Sequence, residues 1–300
     1  MNEEGIQMKN TDLQSAMVQW WNGISGELDL TNPGAVAWFT KQLDRLVEEY
    51  KVNGFKFDAG DAQFYVGLKA YKDILPDEHT TLWGKIGLRY PLNEYRAIYK
   101  MGGQPLVERL RDKAHKWDDL ETLIPNMLLQ GINGYVFGCP DIIGGGEFTS
   151  FLSCALIDQE LIVRSAQVHA LMPMMQFSVA PWRILDESNH KAVQQALATR
   201  MKFTDYIVRL TKNAAITNQP VIRYLEYSFP HQGYANIKDE FMLGDSILVA
   251  PIVKRNMYKR LVTLPEGNWE YLNGMKYEGP AEVEVTSPID VLPYFIRIDL

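Results

Sequence analysis

Cysteine is scarce in this chain. Cys139 and Cys154 are the only two among 300 residues, too few for a disulfide framework, and no Cys/His spacing matches a zinc site. Two free thiols point to a reducing compartment and lean towards the cytoplasm. Positive runs are missing too. The net charge is −7, with no Lys/Arg-rich stretch, which argues against a nucleic-acid partner. No segment approaches the roughly 18 consecutive apolar residues of a membrane-spanning helix. The first residues, Met1-Asn2-Glu3-Glu4-Gly5, lack the basic and apolar regions of a signal peptide. Internal repeats, low-complexity segments and long linkers are also absent.

What is present is ordinary globular composition, 46% hydrophobic and 22% charged, in a chain long enough to bury a sizeable core. Seven Trp, fifteen Tyr and twelve Phe suit sugar-stacking surfaces and plain core packing equally. Along the chain, Trp20-Trp21-Asn22-Gly23 predicts a short strand entering a turn. Asn32-Pro33 predicts a helix start, with Asn as N-cap and Pro in the first turn. Val36, Phe39, Leu43, Leu46, Val47 and Tyr50 then give that helix one buried face. Asn53-Gly54 reads as its stop signal, and Phe55–Phe57 as a strand ending on Asp58.

The alternation continues. Residues 82–87 read as a short strand, 93–100 as a helix, 106–110 as a strand, and 118–131 as a helix stopping at Gly131. Tyr135–Phe137 reads as a strand before Cys139-Pro140-Asp141 and the run Gly144-Gly145-Gly146. A helix from Leu156 to His169 precedes a strand from Leu171 to Ser178, and His190–Lys212 forms a long amphipathic helix. After about residue 220, strands over 246–253, 259–264, 269–272 and 282–285, punctuated by Pro265–Asn268 and Asn273-Gly274, predict an antiparallel β module. The fold class is therefore α/β: part of a (β/α)8 barrel, about five strands, over residues 1–237, then an incomplete β domain over 238–300.

Carboxylates fall at the predicted strand ends: Asp58, Asp112, Asp141 and, less regularly, Asp61. Side chains at the C-terminal ends of barrel strands point into the active site. Two carboxylates about 5–5.5 Å apart across a glycosidic bond run retaining hydrolysis. A calcium-loop reading of Asp58–Ala62 fails for want of a ligand ladder and a terminal Glu. A phosphate-loop reading of Gly144–Glu147 fails for want of Gly-Lys-Ser/Thr. The five histidines form no catalytic arrangement. No metal and no cofactor is expected.

Five ordered segments resemble glycoside hydrolase family 31. They are Trp20–Gly23 with Leu28–Pro33; Phe55-Lys56-Phe57-Asp58-Ala59-Gly60; Asp112-Lys113 five residues before Trp117; Cys139–Gly145; and Met172–Ser178 with Pro181-Trp182-Arg183. The Lys-Phe-Asp-Ala-Gly run is similar to the branch that contains myogenesis-regulating glycosidase. The resemblance implies a retaining exo-α-glycosidase with Asp58 as nucleophile and Asp112 as general acid/base. Asp118 and Asp119 stay open as alternatives, because Lys113 stands where the family usually has Asn. It further implies Trp21, Lys56, Arg96, Asp141 and Trp182 as substrate-binding residues. Lys56 shares a strand face with Asp58 by period-two geometry and is either a substrate contact or an ion-pair partner. Arg96 is either the family arginine or a helix-surface charge, and Arg164 a structural charge behind the site.

Gln176 and Ser178 replace the family's usual Arg and His, which points from starch-type substrates towards an α-galactoside or similar α-hexoside. The expected partner is a small-molecule or oligosaccharide α-glycoside, and homo-oligomers stay open. The resemblance begins inside the barrel, so the sequence looks like a fragment of a longer enzyme. An unclosed barrel exposes strand edges, which predicts poor solubility or inactivity alone. The rival reading is a catalytically inactive fragment or sugar-binding relic.

Overall fold

The computed structural model describes residues 5–21, 23–145 and 157–299. Asn22, Gly146-Glu147, Cys154 and the predicted helix start at Leu156 lie outside them. The chain divides into two compact units, residues 1–109 and 110–300.

In the first unit, β1 (Met17–Trp20) and β2 (Gly23–Gly26) form a hairpin. α1 (Pro33–Tyr50) starts as the sequence predicts, the Asn32 side chain accepting from the Gly34 N–H at 2.8 Å. Its end differs. Lys51 takes the left-handed conformation, φ 56°, and its N–H bonds the Val47 carbonyl. Gly54 instead opens β3 (Gly54–Phe57), where a Cβ would lie 1.7 Å from the Leu92 carbonyl oxygen. That glycine serves strand contact, not helix termination.

The strand predicted at 82–87 is the second half of α2 (Pro76–Gly87). Pro76, Asp77 and Glu78 supply a helix start, and Gly84 and Gly87 allow close packing. A Cβ on Gly87 would lie 2.4 Å from the Tyr95 hydroxyl. The helix predicted at 93–100 is also corrected, because β4 (Leu92–Tyr95) runs there, parallel to β3. Its polar residues have fixed partners that a helix surface would not offer. Asn93 donates to the Gly87, Tyr90 and Pro105 carbonyls at 3.2–3.3 Å. Tyr95 stacks on Phe57 at 4.7 Å and donates to the Trp83 carbonyl at 3.0 Å. β5 (Val107–Glu108) pairs parallel with β4 and completes a three-stranded sheet.

In the second unit, α3 (Trp117–Ile132) is followed by β6 (Ile142–Ile143), α4 (Gln159–Ala170) and β7 (Gln176–Phe177), with β6 and β7 parallel. Tyr135–Phe137 is not a strand, and only two of residues 171–178 are. The ladder bonding falls later, at Leu110 N–H to the Cys139 carbonyl (2.8 Å) and in the β6–β7 pair. α5 (Glu187–Thr217) is longer than its apolar face predicts, because Asp186 caps it by accepting from the Asn189 N–H at 2.8 Å.

β8 (Ile222–Arg223), α6 (Leu225–Ser228), β9 (Phe241–Leu243), β10 (Ile247–Val249), β11 (Lys259–Tyr271), β12 (Lys276–Thr286) and β13 (Tyr294–Arg297) follow. All but α6 build one antiparallel sheet in the order β12-β11-β13-β10-β9-β8. Pro265–Asn268, read as a turn, is a bulge inside β11. The register shifts between Leu264 and Gly267, and Trp269 Nε1 bonds the Pro265 carbonyl at 2.8 Å. The chain is thus part of a (β/α)8 barrel followed by an antiparallel β domain.

One apolar core joins α3, α4 and α5 to β8–β10, including Leu123, Ile124, Val163, Ala196, Phe203 and Leu243. No helix among the described residues is long and apolar enough to cross a membrane.

Candidate active site

In the first unit, four sequence-predicted residues meet at the C-terminal ends of β3 and β4. Asp58 follows β3 directly, and its side chain is 48% exposed. The backbone turns sharply behind it, Ala59 at φ 64° and Gly60 at φ 84°. A Cβ on Gly60 would lie 2.1 Å from the Trp83 ring, so this turn needs glycine. Positive φ at a non-glycine residue is strain of the kind that collects at functional sites.

Arg96, directly after β4, places Nη1 3.2 Å from Asp58 Oδ1 and Nη2 2.5 Å from Asp61 Oδ2. It is a strand-end residue, not a helix-surface charge. Its guanidinium also lies over the Trp21 ring, 4.4 Å from the centroid, a cation–π contact. Trp21 is 60% exposed beyond it. Lys56 Nζ pairs with Glu94 Oε1 at 2.9 Å, across the β3–β4 register.

Two members of this constellation escaped the sequence reading. Arg109, at the end of β5, is buried and places Nη2 3.2 Å from Asp58 Oδ1 and Nε 3.9 Å from Glu94 Oε1. Glu94 is 7% exposed and forms ion pairs with both cations. A buried arginine on a predicted strand demands a buried anion, and that demand was the available signal. Glu94 was hidden by the helix expectation for residues 93–100.

Behind Asp58 lies a cavity of about 150 Å³ lined by Trp20, Glu27, Tyr65, His79 and Trp83. Burial pushes the Glu27 carboxyl up to about 8, against a Tyr65 hydrogen bond that lowers it. His79 is driven down to about 4 by burial. Its Nε2 accepts from the Leu30 N–H at 3.0 Å, so the neutral ring carries its proton on Nδ1.

In the second unit, Asp112 is exposed on the loop after Leu110, and Asp141 is buried. Asp141 sits at φ 72° and its Oδ2 accepts from the Lys113 N–H at 3.0 Å. Burial lowers the Lys113 ammonium, opposed by the charges of Asp119 and Asp141. Asp119 is committed locally, its Oδ2 accepting from the Ala114 N–H at 2.7 Å, and Asp118 is exposed in the first turn of α3. Gln176 lies in β7, and Ser178 N–H bonds the Ile143 carbonyl at 3.1 Å while its hydroxyl donates to the Gly145 carbonyl. Trp182 stands in a short 3-10 turn, 71% exposed. Arg164 is structural, with its guanidinium buried among carbonyls of the loops before β11 and after β12. Among the described residues no group of three or more His, Cys, Asp or Glu could hold a metal ion.

Parallel strands with charged side chains at their C-terminal ends, followed by an antiparallel β domain, define a barrel-type α/β architecture with an appended β domain. Residues 110–210 match the model of the glycosyl hydrolases family 31 TIM-barrel domain, and residues 218–299 that of the family 31 C-terminal domain. The chain belongs to glycoside hydrolase family 31.

It is 31% identical to myogenesis-regulating glycosidase of Mus musculus over 92% of its length, which is 40% of that protein. It is 26% identical to a sulfoquinovosidase of Escherichia coli K12, covering 99% of this chain and 47% of the other. A solved family 31 sulfoquinovosidase from E. rectale superposes with a TM-score of 0.87 over all of this chain and 48% of that one, at 21% identity. The chain spans less than half the length of these relatives.

Proposed function

We propose that this chain carries the catalytic part of a retaining exo-α-glycosidase that removes a terminal α-linked hexose by double displacement. The observation that carries the reading is the setting of Asp58. It is half-exposed after a parallel strand, with two guanidinium groups on one of its oxygens. Asp58 attacks the anomeric carbon as the leaving oxygen takes a proton from Asp112. Asp112, now a carboxylate, then draws a proton from water as that water displaces Asp58. Asp141, Lys56 and Arg96 bind sugar hydroxyls, and Trp21 and Trp182 offer stacking faces.

The substrate we favour is an α-galactoside or similar α-hexoside. The Lys-Phe-Asp-Ala-Gly run and the replacements Gln176 and Ser178 support it. The test uses the full-length protein and α-configured cyclitol probes. The expected outcome is one covalent label on Asp58, with Asp58→Ala losing the label and turnover. A label elsewhere overturns the nucleophile assignment, and none across gluco- and galacto-configured probes favours the sugar-binding relic.

A further inference from the structure

Asp58 does not share its contacts evenly between its two oxygens. Oδ1 accepts from Arg96 Nη1 at 3.2 Å, Arg109 Nη2 at 3.2 Å and the Ala59 N–H at 3.0 Å. All three donors converge on that one atom, and among the described residues none is directed at Oδ2. Each guanidinium also holds a second carboxylate, Asp61 for Arg96 and Glu94 for Arg109. Arg109 and Glu94 are the more buried pair, with side chains 4% and 9% exposed.

We propose that Arg109 is a positioning residue that fixes Asp58 so that Oδ2 attacks while Oδ1 stays bound, and that Glu94 is the counter-charge that aims Arg109. This rests on the retaining reading given above. When the Oδ2–C1 bond forms and the C1–leaving-group bond breaks, Asp58 becomes a neutral ester and Oδ1 its carbonyl. A cation held by Asp58 alone would then be stranded in a buried site, at high cost. Glu94 prevents that for Arg109, as Asp61 does for Arg96. When water displaces the ester, the electron pair returns to the carboxylate, and the donors on Oδ1 stabilise the returning charge. Donors preorganised on an atom where charge develops act most strongly in that step. Arg109 therefore assists breakdown of the intermediate more than its formation.

The expected signature follows. In the full-length protein, Arg109→Gln lowers kcat about 100-fold, the typical effect of losing one such donor. It lowers KM as well, because the glycosyl-enzyme accumulates, and it gives a stoichiometric burst of aglycone with whichever aryl α-hexoside the wild type turns over fastest. Arg109→Lys keeps the charge and recovers about a tenth of the wild-type rate. Glu94→Gln moves kcat and KM in the same direction by less. A fall in kcat at unchanged KM and without a burst, or a rise in KM alone, overturns the proposal.

Wild-type labelling separates the two readings. If Asp58 is not labelled in the wild type, the retaining reading fails, and crystal structures of wild type and Arg109→Gln then decide the positioning claim by themselves. Rotation of the Asp58 carboxylate away from the Ala59 N–H in the variant supports positioning by Arg109, and an unmoved carboxylate refutes it.

Discussion

Two carboxylates in the first unit show how surroundings set behaviour. Asp58 faces guanidinium groups and solvent, whereas Glu27 faces a mostly carbon-lined cavity wall and one tyrosine hydroxyl. Burial holds the Glu27 proton up to about 8, while in an unfolded chain it leaves near 4.5. Below about 4.5 both states are neutral and Glu27 has no effect on the pH dependence. Between those values the unfolded state has lost a proton that the native state keeps, so stability falls as pH rises. Above about 8 the loss is complete, at most about 5 kcal/mol at about 1.4 kcal/mol per unit. Glu27→Gln keeps the neutral shape and removes this slope. Urea midpoints at pH 5, 7 and 9 should show the variant gaining on wild type as pH rises, and parallel curves would refute the assignment.

The same scale explains what was legible. Trp21, Lys56 and Asp58 lie in ordered motifs, Arg96 is implied by the resemblance as the arginine upstream of Asp112, and the four come together. Arg109 and Glu94 belong to no motif. Their roles arise from register, Lys56 opposite Glu94, and register is set by the packing of whole strands.

At the scale of elements, α1, α5 and the short strand β3 were readable, and β4 and α2 were not. α1 has Asn32 and Pro33 to mark it, and α5 has a long apolar face. β4 has four residues, three of them buried, two of those polar, so neither alternation nor an apolar run announces it. α2 misled in the opposite sense, because its buried face contains Gly84 and Gly87 where a helical pattern would show large apolar residues.

Glycine placement gives a paired test. Gly54→Ala puts a methyl 1.7 Å from the Leu92 carbonyl oxygen, so the β3–β4 pairing must shift, at a cost of about 3 kcal/mol or more. Gly274→Ala meets no atom within 4 Å and is strained only by its φ of 87°, which costs about 1 kcal/mol. Thermal unfolding should rank them in that order. Only Gly54→Ala should also lower turnover, because Asp58 hangs from β3. Equal losses of stability would mean that backbone strain alone governs both positions.

At the scale of the whole molecule, the two family 31 domains that match residues 110–210 and 218–299 fall within one compact unit. Their shared core explains part of this, since Ala196 and Phe203 of α5 pack in the same cluster as Leu243 and Val249. Arg164 supplies the rest. Fully buried in α4, it donates to the Ser287 hydroxyl at 3.1 Å and to the carbonyls of Ser287, Pro288 and Met257 at 2.8–3.2 Å. Gln167, one turn along, steadies the guanidinium at 2.9 Å and donates to the Ile289 carbonyl at 2.7 Å.

A guanidinium bound to carbonyls across a domain boundary couples the two sides, because removing it leaves several buried acceptors without donors at once. Arg164→Met fills similar volume without a donor, and a loss of about 3–5 kcal/mol is expected. The distribution of that loss is the sharper test. Hydrogen exchange on the wild type should show α4 and β10–β13 opening together. In Arg164→Met the β domain should open at a lower free energy than α3–α5. If both regions weaken equally, the common core carries the coupling and Arg164 adds only local stability.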